Sequence, residues 1–199
     1  MKNVLALILV CLPFVAQAEG RFPALYDVTG VAGNDVLNVR TSPSTAGQII
    51  GVLMFNARDV EVIRLSDNGR WGLVNTAETA GWASMHFLTR QPGQLWGDMP
   101  ASLSCFGTEP FWGLDIAADD TGSFATPEVT SPITITDRIP GVARPDRFAL
   151  TAVGSEGAIT AIVGYNACND GMSDREYGLA LDVLMEPGVL YSGCCSLAR

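Results

Sequence analysis

Residues 37–53 read LNVRTSPSTAGQIIGVL. Leu37 and Val39 alternate with Asn38 and Arg40, so one face of this run is apolar and the other polar, the period of a half-buried strand. In the SPST that follows, proline presets one backbone angle and the hydroxyls can bond free amides, which marks a turn. IIGVL then resumes an apolar β-type run. Strand, turn and strand so close together belong to a small β-fold, and the rest of the chain repeats the pattern.

Outward from this stretch, the first half carries YDVTGV, VLNVR, QIIGVLM, DVEVIRL, RWGLVN and AGWASMHFL, about ten residues apart, the spacing of a small barrel or sandwich. DVEVIRL has a mixed pattern, so both of its faces are expected to be partly covered. Residues 89–103, TRQPGQLWGDMPASL, are richer in Pro and Gly and have no period. They read as a connection, with the linker at 93–101 between domains at 19–92 and 102–199. The second half gives eight further short strands, LSCFG to VLYSGCC, with hairpin turns at AADDTGS and MEPGV. That predicts an antiparallel meander closed into a small barrel, whose closure protects the strand edges. The expected fold class is all-β: two small barrels, the second stapled by disulfides.

Before all of this stands a leader. Lys2, an apolar run of about 12 residues and AQA make a secretory signal peptide over residues 1–18, cleaved after Ala18. Such a run is shorter than the about 20 residues that span a bilayer. Cys11 lies inside it with Val10 in front, where a lipidation site needs a small residue, so no lipid is expected. No later stretch is apolar enough to span a membrane, and the mature chain is expected to be periplasmic or secreted. Cleavage removes the only lysine. Eleven arginines then face 21 acidic residues, a net charge of −10. An acidic chain without a basic run is not held by phosphate backbones or anionic membranes, so neither nucleic acid nor a membrane surface is an expected partner.

The four mature cysteines, Cys105, Cys168, Cys194 and Cys195, all lie in the second half. An even number in an exported chain reads as disulfides. Without any CxxC spacing, and with the only histidine, His86, in the other half, a zinc site is not expected. Neighbouring residues of a strand face opposite sides, so Cys194 and Cys195 take different partners. Cys105–Cys195 with Cys168–Cys194 is the favoured pairing, and the swapped one stays open.

LNVR, the SPST turn, IIGVL, RW at 70–71 and GWASMHFL at 81–88 together resemble a bacterial SH3-like domain over residues 24–89. One departure is Asn56, where that family has glycine. Asn tolerates left-handed backbone angles, so the turn can survive the change. The resemblance implies a binding module of the cell envelope, acting on a peptide, peptidoglycan or an envelope protein, and no catalysis. Trp71 and Trp82 are expected to fill the core. The sharper expectation is an aromatic ligand groove walled by Tyr26 and Trp71. His86, with no nucleophile nearby in sequence, reads as a surface residue.

In the second half, GTEPFW at 107–112 and CNDGMSDREY at 168–177, with LYSGCC near the end, resemble a family of exported, lipoprotein-like bacterial β domains that brings no established activity with it. There is also a looser similarity to small envelope barrels such as lysozyme inhibitors, an analogy of fold only. Two readings compete for these motifs. In the functional one, Glu109 and Asp170 or Asp174 are an acid–base pair and Arg175 is a carboxylate clamp; hard oxygens could also suit calcium, but Asp170, Met172 and Asp174 lack the regular oxygen ladder of a calcium loop. In the structural one, NDG is a turn, Arg175 makes a bidentate bond to Glu109, and Trp112 plugs the barrel; the same residues, Glu109, Trp112, Asp170, Asp174 and Arg175, are otherwise candidates for a ligand-binding face. The expected function is a non-catalytic envelope binding protein without a metal or cofactor. An inhibitor or accessory protein of a cell-wall enzyme is the alternative, and a carboxylate-dependent hydrolase a weaker one.

Overall fold

Alternating apolar residues on short, turn-bounded runs leave each strand one face to bury, and in the computed structural model, which describes residues 21–155 and 157–197, two separate cores result. The signal peptide and its cleavage site lie outside the described residues. The first half has two sheets. One is ordered β4-β1-β8, from Ala24–Val28 (β1), Val60–Val62 (β4) and Leu88–Arg90 (β8). The other is ordered β3-β2-β7-β6-β5, from Val36–Arg40 (β2), Ile49–Met54 (β3), Arg64–Leu65 (β5), Trp71–Thr76 (β6) and Thr79–Ser84 (β7). A 3-10 turn, Met85–Phe87, leads into β8.

Leu37 and Val39 of β2 point into this core, with Val60, Val62 and Val74 around them. Both tryptophans stay out of it. Trp71 and Trp82 are half-buried at the surface, and Arg64 lies over the Trp82 ring at 5.0 Å. Aliphatic residues fill the space because the sheets are short and close together: a Cβ on Gly72 of one sheet would meet Val62 of the other at 2.8 Å. Tyr26, expected on a groove wall, is instead 5 % exposed in the core, its hydroxyl taking a bond from Arg90 at 3.2 Å. The turn at Asn56 needs no left-handed residue there. Asp59, three positions on, takes that conformation at φ 55°.

The second half is a closed barrel of eight antiparallel strands: Leu103–Thr108 (β9), Phe111–Ile116 (β10), Thr121–Ala125 (β11), Thr130–Gly141 (β12), Arg144–Gly154 (β13), Gly157–Cys168 (β14), Tyr177–Met185 (β15) and Val189–Leu197 (β16), with β16 returning to β9. Inward residues Leu103, Leu114, Leu150, Leu179, Leu181 and Val163 form its centre. Trp112 closes one part of the barrel against Phe124 and Tyr191, with ring centroids at 6.2 Å and 5.8 Å. Its indole lies over Gly107 and Gly193, where any Cβ would collide with the ring.

Period-two alternation separates the neighbouring cysteines. Cys195 pairs directly with Cys105 across β16 and β9, and their disulfide is buried. Cys194 faces the other way and bonds Cys168 at the end of β14.

The Pro/Gly-containing connection is pinned rather than loose. The Gln94 side chain is buried, accepts a bond from Leu25 N at 2.7 Å and donates to Leu25 O at 2.9 Å. Asp98 O accepts from Arg21 at 2.7 Å and from the Tyr165 hydroxyl at 3.2 Å.

Candidate functional site

CNDGMSDREY leaves β14 at Cys168 and re-enters the barrel at Tyr177, so it is a loop at one end of the barrel. Its short polar side chains fold it. Asn169 Oδ1 accepts from Gly171 N at 2.7 Å, and Gly171 takes the left-handed angle that the turn requires, φ 72°. Asp170 accepts three bonds, from Met172 N at 3.0 Å, Ser173 N at 2.8 Å and the Ser173 hydroxyl at 2.7 Å. The backbone bond from Ser173, ahead of the other donors, holds its carboxyl below the usual range.

The shaped loop docks onto the β6–β7 hairpin of the first half. Asp174 forms a parallel bridge with Thr79: its N donates to Glu78 O at 2.9 Å and its O accepts from Ala80 N at 3.0 Å. Arg175 Nε donates to Ala77 O at 2.6 Å, and its guanidinium lies 3.8 Å from Glu78. Asn75 holds the Glu176 backbone at both ends, donating to its O at 2.9 Å and accepting from its N at 3.1 Å. The Glu176 carboxylate accepts from Arg64 at 3.1–3.3 Å, the same arginine that covers Trp82. The motif is a clasp between the two halves.

This corrects the expected Arg175–Glu109 pair. Glu109 sits exposed at the tip of the β9–β10 hairpin, and Arg175 is turned toward Ala77 and Glu78. The two motifs do touch, through Thr108 Oγ1 donating to Asp170 O at 2.9 Å. No acid–base dyad results: Asp170 is consumed by its own loop, Asp174 works through its backbone with its side chain exposed, and Glu109 meets neither. Trp112 is 5 % exposed and packs as a plug. Among the described residues, no group of three or more His, Cys, Asp or Glu side chains could hold a metal ion.

Two of the expected binding residues border open recesses, Arg175 one between the halves and Trp71 a groove of the first half. That groove encloses about 750 Å³ between residues 43–45, residues 68–70 and the 3-10 turn. Trp71, Pro43 and Met85 supply apolar surface, Ser44, Thr45 and Ser84 hydroxyls, and Arg70 and His86 its cationic and titratable groups. Tyr26 is absent from it, being across the core on β1. A second, larger recess lies between the halves, bordered by Leu53, Asn75, Ser104, Phe106, Asp115 and Arg175 among others. It could not be read from the sequence, because its walls come from segments far apart in the chain.

Residues 35–89 match the family described as bacterial SH3 domain. No curated protein and no solved structure matches the chain. The molecule therefore carries an SH3-like domain joined to a disulfide-bonded β-barrel. Domains of this kind are often binding modules of cell-wall-associated proteins, and with the disulfides they fit an extracellular protein. Among the described residues, no helix is long and apolar enough to cross a membrane.

Proposed function

We propose that this is a non-catalytic binding protein of the bacterial envelope, and that the Trp71 groove of its SH3-like half recognises a peptide or cell-wall element. The observation that carries the reading is Trp71 itself. A large aromatic left half-open on a small domain, ringed by hydroxyls and two cationic or titratable groups, is the composition of a recognition surface. The dispersal of Glu109, Asp170 and Asp174 supports the absence of catalysis, since acid–base work needs two groups within reach of one substrate. The test is co-sedimentation of the mature chain with purified peptidoglycan. Wild type is expected to pellet and Trp71→Ala to stay in solution with its melting curve unchanged. Equal pelleting of both would remove the groove from the reading.

Charge favours a second reading, an inhibitor of a basic cell-wall hydrolase. Residues 21–92 carry six arginines and six acidic residues, whereas 93–199 carry five and fourteen, a net −9. A strongly acidic barrel attracts basic partners and speeds their encounter. Inhibition of a lysozyme by the mature chain, lost at high salt, is the outcome that would select it.

A further inference from the structure

Between the halves runs a cleft of about 860 Å³. Part of its floor is the outer face of four barrel strands. The register sets Ser196 opposite Ser104, Ser104 opposite Asp115, and Asp115 opposite Ser123. Three hydroxyls and one carboxylate thus form a row straight across β16, β9, β10 and β11. Ser104 donates to Asp115 Oδ1 at 2.7 Å. The hydroxyls of Ser123 and Ser196 make no hydrogen bond to any other described residue.

Three properties decide what such a cleft can take. The floor strands belong to a closed barrel and are paired on both sides. They offer no free edge, so an extended peptide could not add a strand here, the mode that gives peptides most of their main-chain contacts. The charged side chains around the cleft balance, Arg58 and Arg175 against Glu61 and Asp115. Both arginines are already engaged, with Asp27 at 3.0 Å and with Ala77 O at 2.6 Å, so the lining itself carries no net charge to select an ion. What remains is hydroxyls that can donate or accept, a carboxylate with an oxygen to spare, and the half-buried ring of Phe106 beside Tyr177.

We propose that this cleft is a binding site for a neutral saccharide chain. Asp115 accepts from sugar hydroxyls, Ser123 and Ser196 exchange bonds with their neighbours along the chain, and Phe106 lies against an apolar sugar face. The site is separate from the Trp71 groove and shares no residue with it.

The test is calorimetric titration of the intact mature chain with the N-acetylglucosamine tetramer. Wild type is expected to bind it. Asp115→Ala and Ser196→Val, both outward-facing and checked by melting, should each weaken binding about fivefold, the scale of one net hydrogen bond. Val142→Ser, at a fully exposed turn outside both the cleft and the groove, should bind as wild type does. The proposal is overturned if the tetramer does not bind, if both cleft variants bind it unchanged, or if tetralysine binds the cleft in its place. Loss of tetramer binding in Trp71→Ala alone would also overturn it, and would move the saccharide to the groove.

Discussion

The SH3-like half and the barrel solve the same problem in different ways. The first half buries ten core residues between two open sheets, while the second buries nineteen inside a sheet with no edges and adds two disulfides. The smaller core has less apolar area with which to offset chain entropy, and small domains are correspondingly marginal. The clasp joins them on the side of the β6–β7 hairpin, so part of what holds the first half comes from a loop of the second. The contrast teaches that the barrel is built to stand alone and the SH3-like half to lean on it.

The largest effect tests the barrel's independence. Cys105–Cys195 spans 90 residues and Cys168–Cys194 spans 26. By loop entropy they contribute about 4.5 and about 3.5 kcal/mol respectively. Chemical denaturation of Cys105→Ala/Cys195→Ala should therefore show the greater loss. An equal or reversed order would place the barrel's stability elsewhere.

Next comes the leaning itself. Asn75→Ala removes two bonds to the Glu176 backbone and should cost about 2 kcal/mol, at about 1 kcal/mol per net bond. Because those bonds join the halves, the loss should fall on the SH3-like half and split one thermal transition into two, with the barrel melting later. A single transition shifted as a whole would mean that the halves do not differ in this way.

A smaller pair of effects separates two positions that look alike in sequence. Arg175→Met gives up a charged donor to Ala77 O at a half-buried site, worth about 1 kcal/mol after allowance for solvent. Glu109→Gln, at an exposed hairpin tip, should be neutral. If Glu109→Gln destabilised the chain as much as Arg175→Met, the two residues would have to share an interaction.

The smallest effect depends on pH. The carboxyl of Asp170 is held below its ordinary 3.8 by the backbone bond from Ser173. Its contribution to the loop is therefore present in full above 3.8 and is lost as pH falls from there through the folded value. Amide exchange in residues 169–174 should speed up over that acid range, and Asp170→Asn should abolish the extra acid dependence. An unchanged acid response in that variant would assign it to another group.

Much of this was open to sequence reasoning, and the boundary of what was open has a physical cause. The all-β class and the eight barrel strands follow from period-two alternation, which is local. The turn role of Asn169, Asp170 and Gly171 is local too, since these side chains bond amides two or three residues away. What failed was long-range. Arg175 is a flexible chain whose partner is whatever lies nearby, and Ala77 O lies 98 positions away. Tyr26 could not be placed from sequence, because the core that takes it in draws on the other sheet, Val39 and Val74 among its residues. The serine row of the cleft floor was invisible for the same reason: each serine is ordinary until strand register aligns it with the next.

The first strand makes contacts that fix an order of events. Pro23 is buried against Gly178, where a Cβ would strike the proline ring at 2.6 Å, and Leu25 packs against the barrel core. Gly178 is the second residue of β15, the penultimate strand. Synthesis runs from the N-terminus, and domains generally fold as they emerge. Here residues that precede and begin β1 complete their packing only against a strand more than 150 positions further on. A chain that lacked β15 would hold a first half with one flank still bare.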